Sequence, residues 1–366
     1  MGENRFAVGV LGATGAVGQK LVTLLAGHPW FEIVSLVASS RSRGKRYGEA
    51  VHWLESRPPE PKVAAMRLEE AVDPLACDLV ISALDADTAE VIEPTLARAG
   101  LPVFSNASSH RGEAAVPLLV PEVNAEHLEL VRRQQFGDGF IVANPNCSVA
   151  GLVLALKPLV DAFGVEAVQV TTMQALSGAG YPGVPALDAV GNVIPHIEGE
   201  DEKIENEPRK IFGTLGSGGV ELHHMVISAQ ANRVPVPEGH LLSVAVRLGC
   251  RAKLAEVREA LDGFASPIVG LGLPSAPPRP LEVCDDPSHP QPRLHATSAD
   301  GMMVRIGRLR RCPVLDVRFV ALVHNTVRGA AGAALLNAEL AVRQGFVRRR
   351  EGRARTALTP LAAFAW

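Results

Sequence analysis

Cys147 lies in the run Ile141-Val142-Ala143-Asn144-Pro145-Asn146-Cys147-Ser148, and its neighbours make it the best-placed nucleophile of the chain. The apolar, β-branched stretch reads as a buried strand. Asn-Pro-Asn ends it, because proline cannot join a strand ladder and asparagine favours a turn or a helix cap. Residues 149–162 then carry a helical pattern, with Pro158 a site for a kink. A thiol at such a strand-to-helix turn stands near a helix N-terminus. The dipole and free backbone N–H groups there are expected to lower its pKa and make it a nucleophile. Any lone cysteine also reads as a small buried hydrophobe, so the rest of the chain has to decide.

Three more clusters carry groups that bind anions or move protons. They are Asn106-Ala107-Ser108-Ser109-His110-Arg111, Glu207-Pro208-Arg209-Lys210, and Arg233-Val234-Pro235-Val236-Pro237-Glu238-Gly239-His240. Taken singly, Arg111 and Arg233 fit surface salt bridges better than ligand clamps. His223 and His224 are adjacent, are expected to face different directions, and suggest no metal site. Gly12-x-x-Gly15-x-x-Gly18 departs from the common G-x-G-x-x-G spacing but keeps its mechanics. Glycines allow a tight turn and let backbone approach a pyrophosphate at a helix N-terminus. A structural Gly-rich turn would look the same. At the end of the second strand, where an NAD site usually has an acid, stands Ala38-Ser39-Ser40-Arg41-Ser42-Arg43. Hydroxyls and guanidinium groups suit a 2′-phosphate, so the expected cofactor is NADP, with a solvated basic loop as the alternative.

The elements that must hold these residues divide the chain. Strand-like runs at 6–11, 33–38, 79–84 and 103–106 alternate with helical patterns through Leu21, Leu24 and Leu25, at 89–99 and at 124–135. Such alternation implies a parallel sheet wound on both faces. After Cys147 the pattern changes. Runs at 165–175, 241–248 and 315–323 predict a mostly antiparallel sheet with one covered face, an α+β second domain. Residues 274–293 read as a long loop and 330–343 as a helix. Arg348, Arg349, Arg350, Arg353 and Arg355 read as a solvated helix end. The expected domains are 1–146, with the helix at 328–345 packing back on it, and 147–327. The tail 346–366 is left unassigned, either packed on the first domain or disordered.

Composition narrows the classes. The 366 residues are 47% hydrophobic and 20% charged, enough for large cores and unlike a disordered chain. A net charge of −3 gives no reason to expect nucleic acid as a partner. The five cysteines are scattered with no C-x-x-C, so neither a disulfide framework nor a zinc site is expected, and a reducing cytoplasm fits. No apolar run is long enough to span a bilayer, and no basic-then-apolar leader pattern precedes the first strand.

Read together, the ordered motifs resemble those of aspartate-semialdehyde dehydrogenases of the archaeal and fungal type, from Gly9 to about Leu340. They run from Gly12-Ala13-Thr14-Gly15-Ala16-Val17-Gly18 and Ser39-Ser40-Arg41-Ser42 through Asn106 to Arg111 and Pro117-Leu118-Leu119-Val120-Pro121-Glu122-Val123-Asn124. Then come Asn144-Pro145-Asn146-Cys147-Ser148, Gln174-Ala175-Leu176-Ser177-Gly178-Ala179-Gly180, Glu207-x-x-Lys210, Arg233 with His240, and His324-Asn325-Thr326-Val327-Arg328-Gly329. The resemblance implies a Rossmann-type α/β first domain, an α+β second domain that joins copies into a homodimer or homotetramer, and NADP. It also implies a place in the biosynthesis of lysine, threonine, methionine and isoleucine.

Residue by residue, the resemblance makes Cys147 the nucleophile, His240 the general acid/base and Gln174 the residue that helps place the acyl group. Arg233 would meet the substrate carboxylate and Glu207 its ammonium. Arg111 and Lys210 would surround the phosphate, with Asn106 also at the substrate. Gly12, Thr14, Gly15, Ala16, Val17, Ser39, Ser40, Arg41, Ser177, Gly178 and Asn325 would hold the cofactor, Asn325 near the nicotinamide. A thiolate would attack aspartyl-β-phosphate, phosphate would leave, and the thioester would be reduced to the semialdehyde. His240 is expected to take the thiol proton first and then protonate the developing alkoxide. Malonyl-CoA or succinyl-CoA reductases and N-acetyl-glutamyl-phosphate reductases share the plan, but their substrates have no free amine for Glu207 to meet. A non-catalytic NADP-binding sensor would not need both Cys147 and His240.

Overall fold

The computed structural model describes residues 5–71 and 75–350. Strands β1 (Phe6–Leu11), β2 (Phe31–Val37), β3 (Leu79–Ser82), β4 (Pro102–Ser105) and β5 (Phe140–Ala143) form one sheet in the order β2-β1-β3-β4-β5, every pair parallel. β3, β4 and β5 are buried along their whole length, as apolar runs must be when both sheet faces are covered. Side chains of β1 alternate between two cores. Ala7 and Leu11 join one with Leu96 of the helix Ala86–Arg98, while Val8 and Val10 join the other with Leu21 and Leu336 of the helices Ala16–Leu25 and Gly332–Arg343. Strand order reverses beside β1, and the turns after β1, β4 and β5 collect at one edge, the usual place for ligands in such sheets.

The second sheet comprises β6 (Val165–Gln174), β9 (Val226–Arg233), β10 (His240–Leu248), β11 (Leu281–Val283), β12 (Val304–Arg311) and β13 (Val317–Val323), with β7 (Thr214–Gly216) and β8 (Gly219–Glu221) forming a separate hairpin. Its order is β11-β12-β13-β10-β6-β9. The β12–β13, β13–β10 and β10–β6 pairs are antiparallel, and the two outer pairs are parallel. On β10 buried residues alternate with partly or fully exposed ones, so one face is covered and the other open. The covering element is the helix Cys147–Phe163. It is apolar on nearly every side because it packs between the two halves; its Leu152 is fully buried. Truncating that leucine to alanine would cost about 2–5 kcal/mol. Gly151 lets β13 close on the helix, since a Cβ there would lie 2.6 Å from Val323 Cβ.

Several expected elements change form. The helix expected at 124–135 is a short α turn, Pro121–Asn124, followed by a 3-10 helix, Ala125–Arg133. Asn124 is the reason: its side chain bonds Val120 N–H and the Leu118 carbonyl, and its backbone leaves the helical region. The loop expected at 274–293 contains β11, whose Leu281 and Val283 are buried beside β12. The helix expected from 330 begins with a π turn, Val327–Ala331. His223 and His224 do not diverge: they lie in an irregular segment and their rings stack at 4.4 Å. Arg348 and Arg349 are exposed, as expected, and Arg350 is half-buried. Arg349 lies over the Phe6 ring at 4.9 Å, and Arg350 N–H donates to Asp78 at 2.9 Å. Arg353, Arg355 and the remainder of the tail lie outside the described residues. Among the described residues no helix is long and apolar enough to cross a membrane.

Candidate active site

The glycine turn after β1 is shaped by close backbone contacts. Gly12 has φ +68°, and a Cβ on it would lie 2.5 Å from the Ala83 carbonyl oxygen. A Cβ on Gly18 would lie 2.2 Å from the Gly12 oxygen. Gly15 is the N-cap of the helix Ala16–Leu25, and no side chain caps that end. Uncapped N–H groups of Ala16 and Val17, without side-chain bulk at Gly15, make a seat for a pyrophosphate. Gln19, missed from sequence, braces the turn by donating to the Thr14 and His52 carbonyls, each at 2.9 Å. Ala13 N–H donates to the Val37 carbonyl at 3.0 Å, so the end of β2 lies beside the turn. Ser39 follows there, then the 3-10 turn Ser40–Ser42 with Ser40 and Arg41 exposed. These residues fit a nicotinamide dinucleotide carrying a 2′-phosphate.

Cys147 is the first residue of its helix, and Asn146 is the N-cap. Asn146 Oδ1 accepts from the N–H groups of Ser148 and Val149 at 2.9 and 3.4 Å. Cys147 Sγ lies 3.2 Å from His240 Nε2. The expected low thiol pKa is not found. Burial pushes the thiol up to about 12 and the Glu200 carboxylate adds to this, while Arg111, Arg233 and the Ser148 N–H pull the other way. Desolvation outweighs the local dipole and favours the neutral thiol.

His240 opens β10 opposite Val323 and is fully buried. Burial, with Arg233 and His324 nearby, pulls its pKa down to about 3. Its Nδ1 accepts the Ala175 N–H at 3.0 Å. A neutral imidazole with Nδ1 as acceptor carries its proton on Nε2, facing the sulfur. The ring is therefore set as a donor to Cys147. The expected first task, taking the thiol proton at Nε2, requires giving up the Ala175 bond.

Ala175 links several groups. Its carbonyl accepts from Arg233 Nη1 at 2.8 Å, and Gln174 precedes it at the end of β6. Gly178 lies against both partners: a Cβ there would be 2.8 Å from Arg233 Nη1 and 3.2 Å from His240 Cε1. Asn325 Nδ2 donates to Ser177 Oγ at 2.8 Å and its Oδ1 accepts Gly239 N–H at 2.9 Å. Ser177, Gly178 and Asn325 thus meet beside His240.

The anion-binding side is more heavily braced than expected. Arg111 donates to Glu207 Oε1 at 2.9 Å and to the Asn106 carbonyl at 3.0 Å. Asn106 donates to the Ser82 carbonyl at 2.7 Å and accepts from Asn144 at 2.8 Å, which leaves one amide N–H and one oxygen lone pair, while its backbone carbonyl holds Arg111. Glu207 Oε2 accepts the Asn146 N–H at 2.6 Å, and a further donor must share its remaining lone pairs. Lys210 Nζ donates to the carbonyls of Arg111, Glu113 and Val116 at 2.7, 2.7 and 2.9 Å, which uses all three ammonium protons. Burial pulls its pKa down to about 8, against Glu113 and Glu207. What Lys210 offers a phosphate is charge, while its N–H groups clamp the Arg111 loop.

Sequence reasoning missed two neighbours of the thiol. A Cβ on Gly329 would lie 2.6 Å from Cys147 Cβ, so only glycine lets the π turn pass there. Glu200 accepts from Asn146 and Gln174. Its signal was helical phase: Glu200, Ile204, Glu207 and Ile211 are the buried stripe of one helix.

The arrangement combines a dinucleotide seat with a thiol–imidazole pair flanked by arginines. The pattern of "Semialdehyde dehydrogenase, NAD binding domain" matches residues 7–131, and that of "Semialdehyde dehydrogenase, dimerisation domain" matches residues 156–328. An aspartate-semialdehyde dehydrogenase of Archaeoglobus fulgidus is 46% identical over 94% of this chain and all of its own length. One from Schizosaccharomyces pombe is 47% identical over 93% of this chain and 99% of its own. The solved enzyme of Candida albicans with NADP superposes with a TM-score of 0.87 at 40% identity, covering 93% of this chain and 100% of that one. Aspartate semialdehyde dehydrogenase II of Vibrio cholerae, complexed with ASA, gives 0.76 at 25% identity over 94% and 100%. Two matching domain patterns and near-full-length relatives carrying one name place this chain in the aspartate-semialdehyde dehydrogenase family.

Proposed function

We propose that this protein is an NADP-dependent aspartate-semialdehyde dehydrogenase that forms a thioester on Cys147. The observation that carries the reading is the 3.2 Å approach of Cys147 Sγ to His240 Nε2, flanked by Arg233 and Arg111. The sulfur attacks the carbonyl of aspartyl-β-phosphate, the bond from carbonyl carbon to phosphate oxygen breaks, and the thiol proton ends on the departing phosphate. The chemistry a nicotinamide cofactor supplies when bound is the two-electron reduction of the thioester carbonyl. His240, with its proton on Nε2, donates a hydrogen bond to the thiolate and then to the oxyanion of the tetrahedral adduct. As that adduct collapses the carbonyl re-forms, the C–S bond breaks, the semialdehyde leaves, and the thiolate takes a proton from solvent. Arg233 meets the substrate carboxylate and Glu207 shares its lone pairs with the ammonium. Arg111 contacts the phosphate within the positive charge of Lys210. Ser39, Ser40 and Arg41 take the 2′-phosphate, with Gly12, Thr14, Gly15, Ala16 and Val17 at the pyrophosphate and Ser177, Gly178 and Asn325 at the nicotinamide.

The test is absorbance of the reduced nicotinamide with aspartate semialdehyde and NADP, with and without inorganic phosphate. Phosphate-dependent reduction that disappears in Cys147→Ala is the expected result. Oxidation of NADPH by malonyl-CoA, with no turnover of the semialdehyde, would move the chain to the CoA-reductase branch.

The same reading includes domains at 1–146 with 328–345, and at 147–327. It includes a homodimer or homotetramer joined through the second unit, supported by the open face of β10 and by Val226 of β9, 68% exposed. Light scattering on the purified protein tests this, and a monomer at micromolar concentration would reject it. Work in a reducing cytoplasm is supported by five cysteines that are all unpaired.

A further inference from the structure

Glu200 has no task in the reaction as written, yet it is only 8% exposed and stands between Asn146, the cap of the nucleophile's helix, and Gln174 at the end of β6. Its Oε2 accepts from Asn146 Nδ2 at 2.8 Å and from Gln174 Nε2 at 3.1 Å. Its Oε1 accepts from Asn146 Nδ2 at 2.9 Å and from Lys203 Nζ at 3.2 Å. Burial pushes its carboxyl up, but these donors outweigh that and hold it below the usual range, so it is ionised at neutral pH.

The geometry gives this carboxylate two handles on the reacting groups. Asn146 caps the Cys147 helix through Oδ1, and an asparagine amide can point either way. With Glu200 taking Nδ2, the flipped amide would set oxygen against carboxylate and NH2 against the N–H groups of Ser148 and Val149. Glu200 thereby fixes the cap. On the other side, Gln174 Nε2 donates to Glu200 and, at 3.3 Å, to Thr172 Oγ1. Both amide donors are engaged, so Gln174 keeps only its oxygen for a substrate donor. The next residue, Ala175, orients His240. Glu200 does not cap its own helix, whose N-cap is Gly199.

We propose that Glu200 is a positioning residue for acyl transfer, tying the amides of Asn146 and Gln174 to one carboxylate so that Cys147, the acyl group and His240 stay in register. The proposal rests on the dehydrogenase reading above.

Glu200→Gln tests it, because glutamine keeps the size but turns one oxygen into a donor facing donors. The expected result is a kcat lower by about 10- to 100-fold, with KM for semialdehyde, phosphate and NADP within about threefold of wild type. Combined with Gln174→Ala, the loss should be no greater than that of the worse single variant. The groups around the thiol are Glu200, Glu207, Arg111, Arg233 and His240. Removing the charge of Glu200 should therefore move the pH midpoint of Cys147 alkylation downward, which a merely structural residue would not do. Glu200→Asp keeps the charge and breaks the reach: kcat should fall while the alkylation midpoint stays. It also serves if the glutamine variant fails to fold. Unchanged kcat, a rise confined to the KM for semialdehyde, or additive losses would each overturn the proposal. Wild-type protein inert toward semialdehyde and phosphate would strike the activity reading alone, since the alkylation midpoints still read Glu200 against Cys147.

Discussion

The glycine turn after β1 and the cleft around Cys147 lie at the same sheet edge but are built from different material. In the turn the working groups are backbone, kept clear because Gly12 and Gly18 have no Cβ where a carbonyl stands 2.5 or 2.2 Å away. Around the thiol the working groups are side chains, and each charged one is tied to a second protein group. A surface made of backbone tolerates substitution only where bulk stays out. A surface made of tied charges transmits any change to several neighbours.

Substitutions sharpen that contrast. Cys147→Ala should lower turnover by about 10⁴-fold or more with NADP binding intact, measured by rate and by fluorescence titration. His240→Asn should cost about 10³-fold in kcat; a variant within tenfold of wild type would mean the Nε2 proton is not used. Gly178→Ala adds a Cβ 2.8 Å from Arg233 Nη1, and should cost about 10²-fold by displacing both Arg233 and His240. In the other region, Arg41→Ala should raise KM for NADP about tenfold and leave that for NAD unchanged, read as the ratio of the two. Stability against pH separates the regions again. The His240 ring has its pKa at about 3 instead of 6.5. Between those values the unfolded chain takes a proton the folded one refuses. The contribution is complete above pH 6.5 and is lost as pH falls towards 3, by up to about 1.4 kcal/mol per unit. Urea melts at pH 7 and pH 5 should show this slope in wild type and Arg41→Ala, and a shallower one in His240→Asn.

The same contrast explains what was legible. β1 falls where its apolar run predicts, at Phe6–Leu11, and β6 ends one residue short of its expected limit. Glycine spacing also reports directly on a local turn. The thiol cleft joins segments far apart in sequence, and only their ordered resemblance to one family brought them together. The pairings could not be read that way. Lys210, expected beside the phosphate, is also a loop clamp, because three carbonyls of 111, 113 and 116 converge on it. The thiol pKa was misjudged because a helix end is visible in sequence and desolvation by distant elements is not. Glu200 is hard to single out because it lies in a run of acids, of which only Glu200 and Glu207 fall on the buried face of the helix. β11 was hidden by prolines on either side of a three-residue strand.

Gly329 packs on Cys147, and that contact has a mechanical side. The polypeptide passes between the two sheets at Asn144–Cys147 and returns through the π turn Val327–Ala331. Both passages touch at the thiol. One buried core runs through the helix Cys147–Phe163 from the first sheet into the second, so bulk added where the two crossings touch would be felt in both sheets by way of the nucleophile's own residue.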